Sequence, residues 1–252
     1  MLPDILRKAR ELHKERYSKA AILFAAGSFV RGEATAYSDL DLVVVFNSVP
    51  NAYRESFRFE GVPVEAFVHD PGTLNYFFNE FDRPSGIPAL PQMVQEGVEI
   101  PEPNELSSAL KRLATAVLEL GPPPLSADTL QRRRYELSDL LDDLRDPRSH
   151  AELAASGSLL YGSLADFYLR SRGCWSAKGK SIPRVLEHRD SRIRAKFCES
   201  FERLFKHSDP SAAIALTEEL LQPTGGLLFD DCRLEAPSDW TQPLPSWLKI
   251  PQ

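Results

Sequence analysis

The stretch Gly27-Ser28-Phe29-Val30-Arg31-Gly32-Glu33-Ala34-Thr35-Ala36-Tyr37-Ser38-Asp39-Leu40-Asp41-Leu42-Val43-Val44-Val45-Phe46 decides how the rest of the chain is read. Ahead of it, Ala20 to Ala26 is an apolar run that stops at a glycine, which suits a buried strand better than a free helix. Gly27 can turn sharply, and Ser28 is a natural N-cap for a short helix through Arg31. A helix start presents unpaired N–H groups and partial positive charge, so this bend suits an anion such as a phosphate.

Asp39 and Asp41 are two apart, so on a strand both side chains point to one face while Leu40 and Leu42 point to the other. Beyond Asp41 both faces are apolar, because Val43 and Val45 continue the aspartate side. The acidic pair therefore stands at a strand mouth, where core gives way to cleft. Two adjacent carboxylates repel unless a cation lies between them, and hard oxygen donors select Mg²⁺ or Mn²⁺. A third acid, Glu65, falls in the apolar alternation Val62 to His69. It is costly to bury unless paired or metal-bound, and the plainer reading is an edge-strand glutamate facing water. His69, at the end of the same strand, reads as a satisfied or exposed histidine rather than a ligand.

Gly27-Ser28, Gly32 and Ser38-Asp39-x-Asp41 together resemble the signature of the DNA polymerase beta-like nucleotidyltransferase superfamily. Among its members the chain looks most like the small aminoglycoside and lincosamide nucleotidyltransferases, because a helical region follows the motif. The resemblance implies an α+β fold, with a mixed sheet and flanking helices followed by a helical bundle. It also implies a third carboxylate on a later strand, a position that Glu65 matches. The activity implied is transfer of a nucleoside monophosphate from a nucleotide triphosphate, taken as ATP, to a small-molecule hydroxyl with release of pyrophosphate.

Phosphoryl transfer of this kind needs alignment and charge neutralisation more than covalent protein chemistry. Two Mg²⁺ about 3.5–4 Å apart would do this, with Asp39 and Asp41 as bridging ligands and Mn²⁺ as a substitute. Glu65 then serves as a metal ligand, as the general base, or as both. For the nucleotide, Gly27 and Ser28 come first and Arg31 is a weaker phosphate candidate. The basic loop Trp175-Ser176-Ala177-Lys178-Gly179-Lys180-Ser181 resembles a Gly-Lys segment that approaches nucleotide phosphates in related enzymes, so Lys178 and Lys180 are further candidates, against a reading as idle surface lysines.

Composition bounds the alternatives. The chain has 252 residues, 42% hydrophobic and 26% charged, as in ordinary globular proteins. Its net charge of -6 argues against a dedicated nucleic-acid binder. Cys174, Cys198 and Cys232 are too scattered and odd in number for a disulfide framework or zinc motif. No apolar run reaches the ~18 residues of a membrane helix, and the N-terminus lacks a secretory apolar region, so a cytoplasmic protein is expected.

Pro3 to Tyr17 has the spacing of an amphipathic helix that should lie on the sheet. Phe57 to Glu60 and Glu99-Ile100 are short strand candidates, and Thr73 to Phe81 has helical spacing with aromatics expected in the core. The proline-rich stretch to Pro103 sets a boundary, giving a nucleotidyltransferase domain at 1–103 and a helical domain at 104–252. The second contains helices from Asn104, Ser126, His150, Arg192 and Asp209, then an irregular Pro- and Trp-containing tail from Pro223.

Two features of the helical part bear on function. Glu136, Asp139 and Asp143 share a helix face beside the leucine stripe. That face reads first as solvated surface, and second as a site for a cationic acceptor or as the source of a general base. Arg145 to His150 loosely fits a motif of HEPN domains, which accompany minimal nucleotidyltransferases in toxin and antitoxin pairs, but Pro147 should break the helix that motif needs. A regulatory module that modifies or binds a protein partner is the alternative function. Relatives that build one active site from two chains make a homodimer compatible with this reading.

Overall fold

The computed structural model describes residues 2–230, 232–237 and 239–245. The amphipathic N-terminal segment is helix α1 (Leu2–Glu15), and the apolar run before Gly27 is strand β1 (Ile22–Ala26). Strands β2 (Leu40–Val45), β3 (Tyr53–Phe59) and β4 (Val62–His69) follow. Next come α2 (Pro71–Tyr76), a π-helical turn over Phe77–Asp82, and the single turn α3 (Arg83–Ser85). Helix α4 (Ala89–Glu96), β5 (Val98–Ile100) and α5 (Glu105–Leu120) complete this run.

The five strands make one sheet in the order β3-β4-β2-β1-β5. Only β2 and β4 run parallel; the other pairs are antiparallel, so the sheet is mixed. Alternation along each strand gives it two apolar faces. On one, Leu23, Ala25, Leu40, Leu42 and Val44 pack with Ile5, Ala9 and Leu12 of α1. On the other, Ile22, Phe24, Val43 and Val45 pack with Leu74, Phe78, Leu90 and Val94. Both faces are therefore covered, as the unbroken apolar strands β1 and β2 require.

The chain divides into two compact units, 1–125 with 165–190, and 126–164 with 191–252. The expected division after Pro103 does not coincide with this one. Helix α5 sends Leu110, Ala114 and Val117 into the core under Phe24 and Val43, so it belongs with the sheet. A boundary drawn from prolines misses this, because Pro101 and Pro103 mark a turn and not a change of core. Asn104 caps α5 reciprocally with Ser107, the 2.8 Å bond from Ser107 N–H to the Asn104 side chain starting the helix at the expected residue.

In the second unit α6 (Ala127–Arg145) is capped by Ser126, which accepts from Thr129 N–H; Asp128, which the sequence equally offered as the cap, lies in the first turn. Helix α7 (His150–Arg170) crosses the division after Leu164. Helix α8 (Ile182–Arg189), which the sequence reading left out, lies in the first unit; its Pro183 looks like a breaker but sits in the first turn, where a missing N–H costs nothing. Helices α9 (Ser191–His207) and α10 (Ser211–Leu221) close the second unit, so its bundle has four helices among the described residues and not five. Tyr161 of α7 meets Phe197 and Phe201 of α9 edge-on, with centroids 4.8 and 4.9 Å away. Gly157 permits that approach, since a Cβ there would lie 2.4 Å from Leu204.

The start of the tail lies on α6: Arg134 donates to Gly226 O at 3.1 Å, Leu228 N–H to Ser138 Oγ at 2.9 Å, and Phe229 stacks near Tyr135. The end of the expected tail, 246–252, lies outside the described residues. Of the Thr73–Phe81 aromatics, Phe78 is core as expected, whereas Tyr76 at the end of α2 and Phe81 in the π turn are exposed. Among the described residues the three cysteines are free, and no helix is long and apolar enough to cross a membrane.

If α5 is part of the sheet's core, Leu110→Ala should destabilise the full chain by about 2–4 kcal/mol, measured by urea unfolding. A loss under about 1 kcal/mol would place α5 outside that core.

Candidate active site

β2 brings Asp41 opposite Ala26 of β1 on one side and opposite Glu65 of β4 on the other. The parallel register with β4 is what places Glu65 beside Asp41, on the face that carries Val43 and Phe67 further down. Asp39, just before the strand, completes a cluster: one carboxylate oxygen from each of Asp39, Asp41 and Glu65 lies within 4.8 Å of the others. All three are half-buried.

The bend after β1 closes on this cluster. Gly27 adopts φ +78°, and a Cβ there would lie 1.9 Å from Asp41 Oδ2. Glycine is thus required twice over, for its backbone and for the approach of the bend to the acid. The expected short helix is a single hydrogen-bonded turn. Val30 and Arg31 N–H both donate to Gly27 O at 3.1 Å, Glu33 N–H donates to Ser28 O at 2.8 Å, and the chain leaves through Gly32 at φ +74°. Gly27, and not Ser28, therefore accepts the first bonds. Ser28 Oγ and the N–H groups of Ser28 and Phe29 take no part in these bonds.

Electrostatics follow from this crowding. Burial, and next the charges of Asp39 and Glu65, push the Asp41 carboxyl up to about 7, opposed by Arg31 and Lys180. Lys180 sits exposed in a 3₁₀ turn over Gly179–Ser181. Its loop is pinned by Ser176 N–H on Gly86 O at 2.8 Å and by Trp175 Nε1 on Leu118 O at 2.9 Å. Lys178 and Lys180 are both exposed in this loop, and of the two only Lys180 is among the charges that oppose the rise at Asp41. Arg31 is held by Glu33 and by Glu96 at the end of α4, and Glu33 also pairs with Arg184 of α8. These pairs tie the bend to two helices.

His69 is buried, as the satisfied alternative required. Its Nδ1 lies 3.2 Å from Thr73 Oγ1, its ring meets Phe77 edge-on, and burial pushes its pKa down to about 4. Glu136, Asp139 and Asp143 are exposed on α6 in the other unit. Arg145 and His150 fall on different helices, broken at Pro147 as expected.

Sequence reasoning missed Arg54, Arg184 and Glu96. Arg54 forms an ion pair with Glu65 and lies with its guanidinium carbon 5.3 Å from the Phe67 ring centroid. Extending the strand at Phe57 back to Tyr53 would have found it, since Arg54 then falls opposite Phe67 and diagonal to Glu65.

A family model described as a nucleotidyltransferase domain matches residues 6–84, the stretch that carries Gly27, Asp39, Asp41 and Glu65. That match agrees with the resemblance carried by Gly27-Ser28 and Asp39-x-Asp41. A curated protein of Methanocaldococcus jannaschii with the provisional name protein adenylyltransferase is 39% identical over 59 residues, 23% of this chain and 58% of its own length. The chain therefore spans less than two thirds of that relative. A crystal structure of a nucleotidyltransferase-like protein from Exiguobacterium sibiricum has 15% identity and a TM-score of 0.41, over 86% of this chain and 74% of that one.

The raised Asp41 pKa has a direct consequence for stability. Between its ordinary value of 3.8 and about 7 the folded chain holds a proton that the unfolded chain has lost. The metal-free protein therefore loses stability as pH rises through that window. Asp41→Asn should raise metal-free stability by about 1–3 kcal/mol near pH ~8 and leave it almost unchanged near pH ~4. Destabilisation by this variant at the higher pH would refute the crowding.

Proposed function

We propose that the chain transfers a nucleoside monophosphate from ATP to an acceptor hydroxyl and releases pyrophosphate. The observation that carries this reading is the convergence of Asp39, Asp41 and Glu65 within 4.8 Å, beside the Gly27 bend. The donor set is all hard oxygen and carries three formal negative charges against few local cations, which fits Mg²⁺ or Mn²⁺. Asp39, Asp41 and Glu65 would hold it. Bound by these three carboxylates, a divalent cation would neutralise charge growing on the phosphoryl oxygens and make the attacking hydroxyl more acidic.

The chain's own groups supply the rest. Ser28 Oγ and the N–H groups of Ser28 and Phe29 bind the phosphate tail, and Lys180 adds a point charge from the facing loop. The acceptor oxygen bonds to the α-phosphorus while the bond from that phosphorus to the pyrophosphate oxygen breaks. The proton of the hydroxyl passes to a carboxylate or to water, and Glu65 is the candidate base.

For the acceptor, a small-molecule hydroxyl follows from the likeness to antibiotic nucleotidyltransferases. A second reading, a hydroxyl on a protein, is favoured by the name of the Methanocaldococcus jannaschii relative. Pyrophosphate release with Mg²⁺ and ATP, run against a panel of hydroxyl-bearing small molecules and against proteins with labelled ATP, separates the two. Label on a protein band with no small-molecule turnover selects the second.

Asp39→Asn and Asp41→Asn should each lower metal-dependent pyrophosphate release by at least about 100-fold while unfolding remains cooperative. Undiminished turnover in either would remove the activity proposed. Lys180→Ala should raise KM for ATP by about 3- to 10-fold with a smaller change in the acceptor's KM. Equal effects on both would take Lys180 away from the phosphates.

A further inference from the structure

Glu65 does not face the aspartates alone. Arg54, on the edge strand β3, reaches diagonally across the β3–β4 pair to Glu65, and its stem and guanidinium lie along Phe67. The Arg54 side chain is 58% exposed whereas that of Glu65 is 19% exposed. One partner of this pair is thus held in the cluster and the other stands at the cluster's rim, with water on its far side. Arg58, the other arginine on this face of β3, donates to Gly61 O at 3.2 Å, and Arg54 is the cation paired with Glu65.

A guanidinium on Glu65 supplies the positive charge that three crowded carboxylates lack. It also occupies a carboxylate oxygen that a divalent cation would use, and both cannot hold that oxygen at full strength. We propose that Arg54 is a positioning residue that acts through Glu65, occupying the carboxylate in the empty site and yielding it when a divalent cation binds. Metal affinity of the protein alone is thereby kept low, and the cation is favoured to arrive with the triphosphate, whose own oxygens repay the lost ion pair. Phe67 gives the displaced guanidinium a place to rest, since it can stay over the ring while it releases the acid. This inference rests on the metal-dependent reading given under Proposed function.

The test uses the full chain and Mn²⁺ alone, with free Mn²⁺ followed by electron paramagnetic resonance. Arg54→Gln removes the competing charge and should bind Mn²⁺ about 3- to 10-fold more tightly than the wild type. Arg54→Lys keeps the charge and should stay within about twofold of the wild type, which separates competition from any general loosening of the edge strand. In a Glu65→Gln background the Arg54→Gln change should leave Mn²⁺ affinity unaltered, because the coupling runs through that carboxylate. Unchanged or weaker binding by Arg54→Gln, with normal saturable binding by the wild type, would overturn the role of Arg54 and leave the metal site standing. Absence of saturable Mn²⁺ binding by the wild type would overturn both.

Discussion

Repulsion among three carboxylates is the constraint on which the rest of this structure turns. Asp39, Asp41 and Glu65 are brought together by the register of β2 with β4, and nothing about their chemistry would assemble them unaided. The energy that holds them comes from below, from the apolar lower halves of the same strands. Val43, Val45 and Phe24 lock the register, and a slip of one residue would turn every acid to the opposite face. The price is visible in Asp41, which burial and its neighbours hold near neutrality.

The same crowding explains the residues around the cluster. Gly27 lies so close to Asp41 that no side chain fits between them, and this sets the bend directly against the carboxylates. Arg54 and Lys180 approach from opposite ends of the chain order, one from the edge strand and one from the loop before α8. Both supply positive charge to a site otherwise wholly acidic. Arg31 does so too, but Glu33 and Glu96 share its charge, so its stronger duty is to anchor the bend.

Placing α5 and α8 with the sheet changes how the architecture is understood. The unit that carries the site is not a minimal sheet with two helices; it takes α5 into its core and recruits residues 165–190 from later in the chain. Arg184 reaches Glu33 of the Gly27 bend only because of that recruitment. Trp175, through its bond to Leu118 O, and Ser176, through Gly86 O, fasten the returning loop to elements that precede it by many residues.

Much was legible from local pattern. The strand ending at Ala26, the acidic pair Asp39 and Asp41 at the mouth of β2, and the helix starts at Asn104 and Ser126 all follow from periodicity and capping, which act over a few residues. Glu65 could be located on a strand by the same means, but its neighbour could not. Which strand lies beside β2, and that Glu65 stands level with Asp41, are consequences of long-range pairing. Pairing partners are chosen by the packing of whole faces, so no stretch of sequence contains them. The bend at Gly27 shows both sides of the division. Its glycine announced a turn, while the approach of Asp41 that makes the glycine indispensable came into being only when β1 and β2 closed side by side.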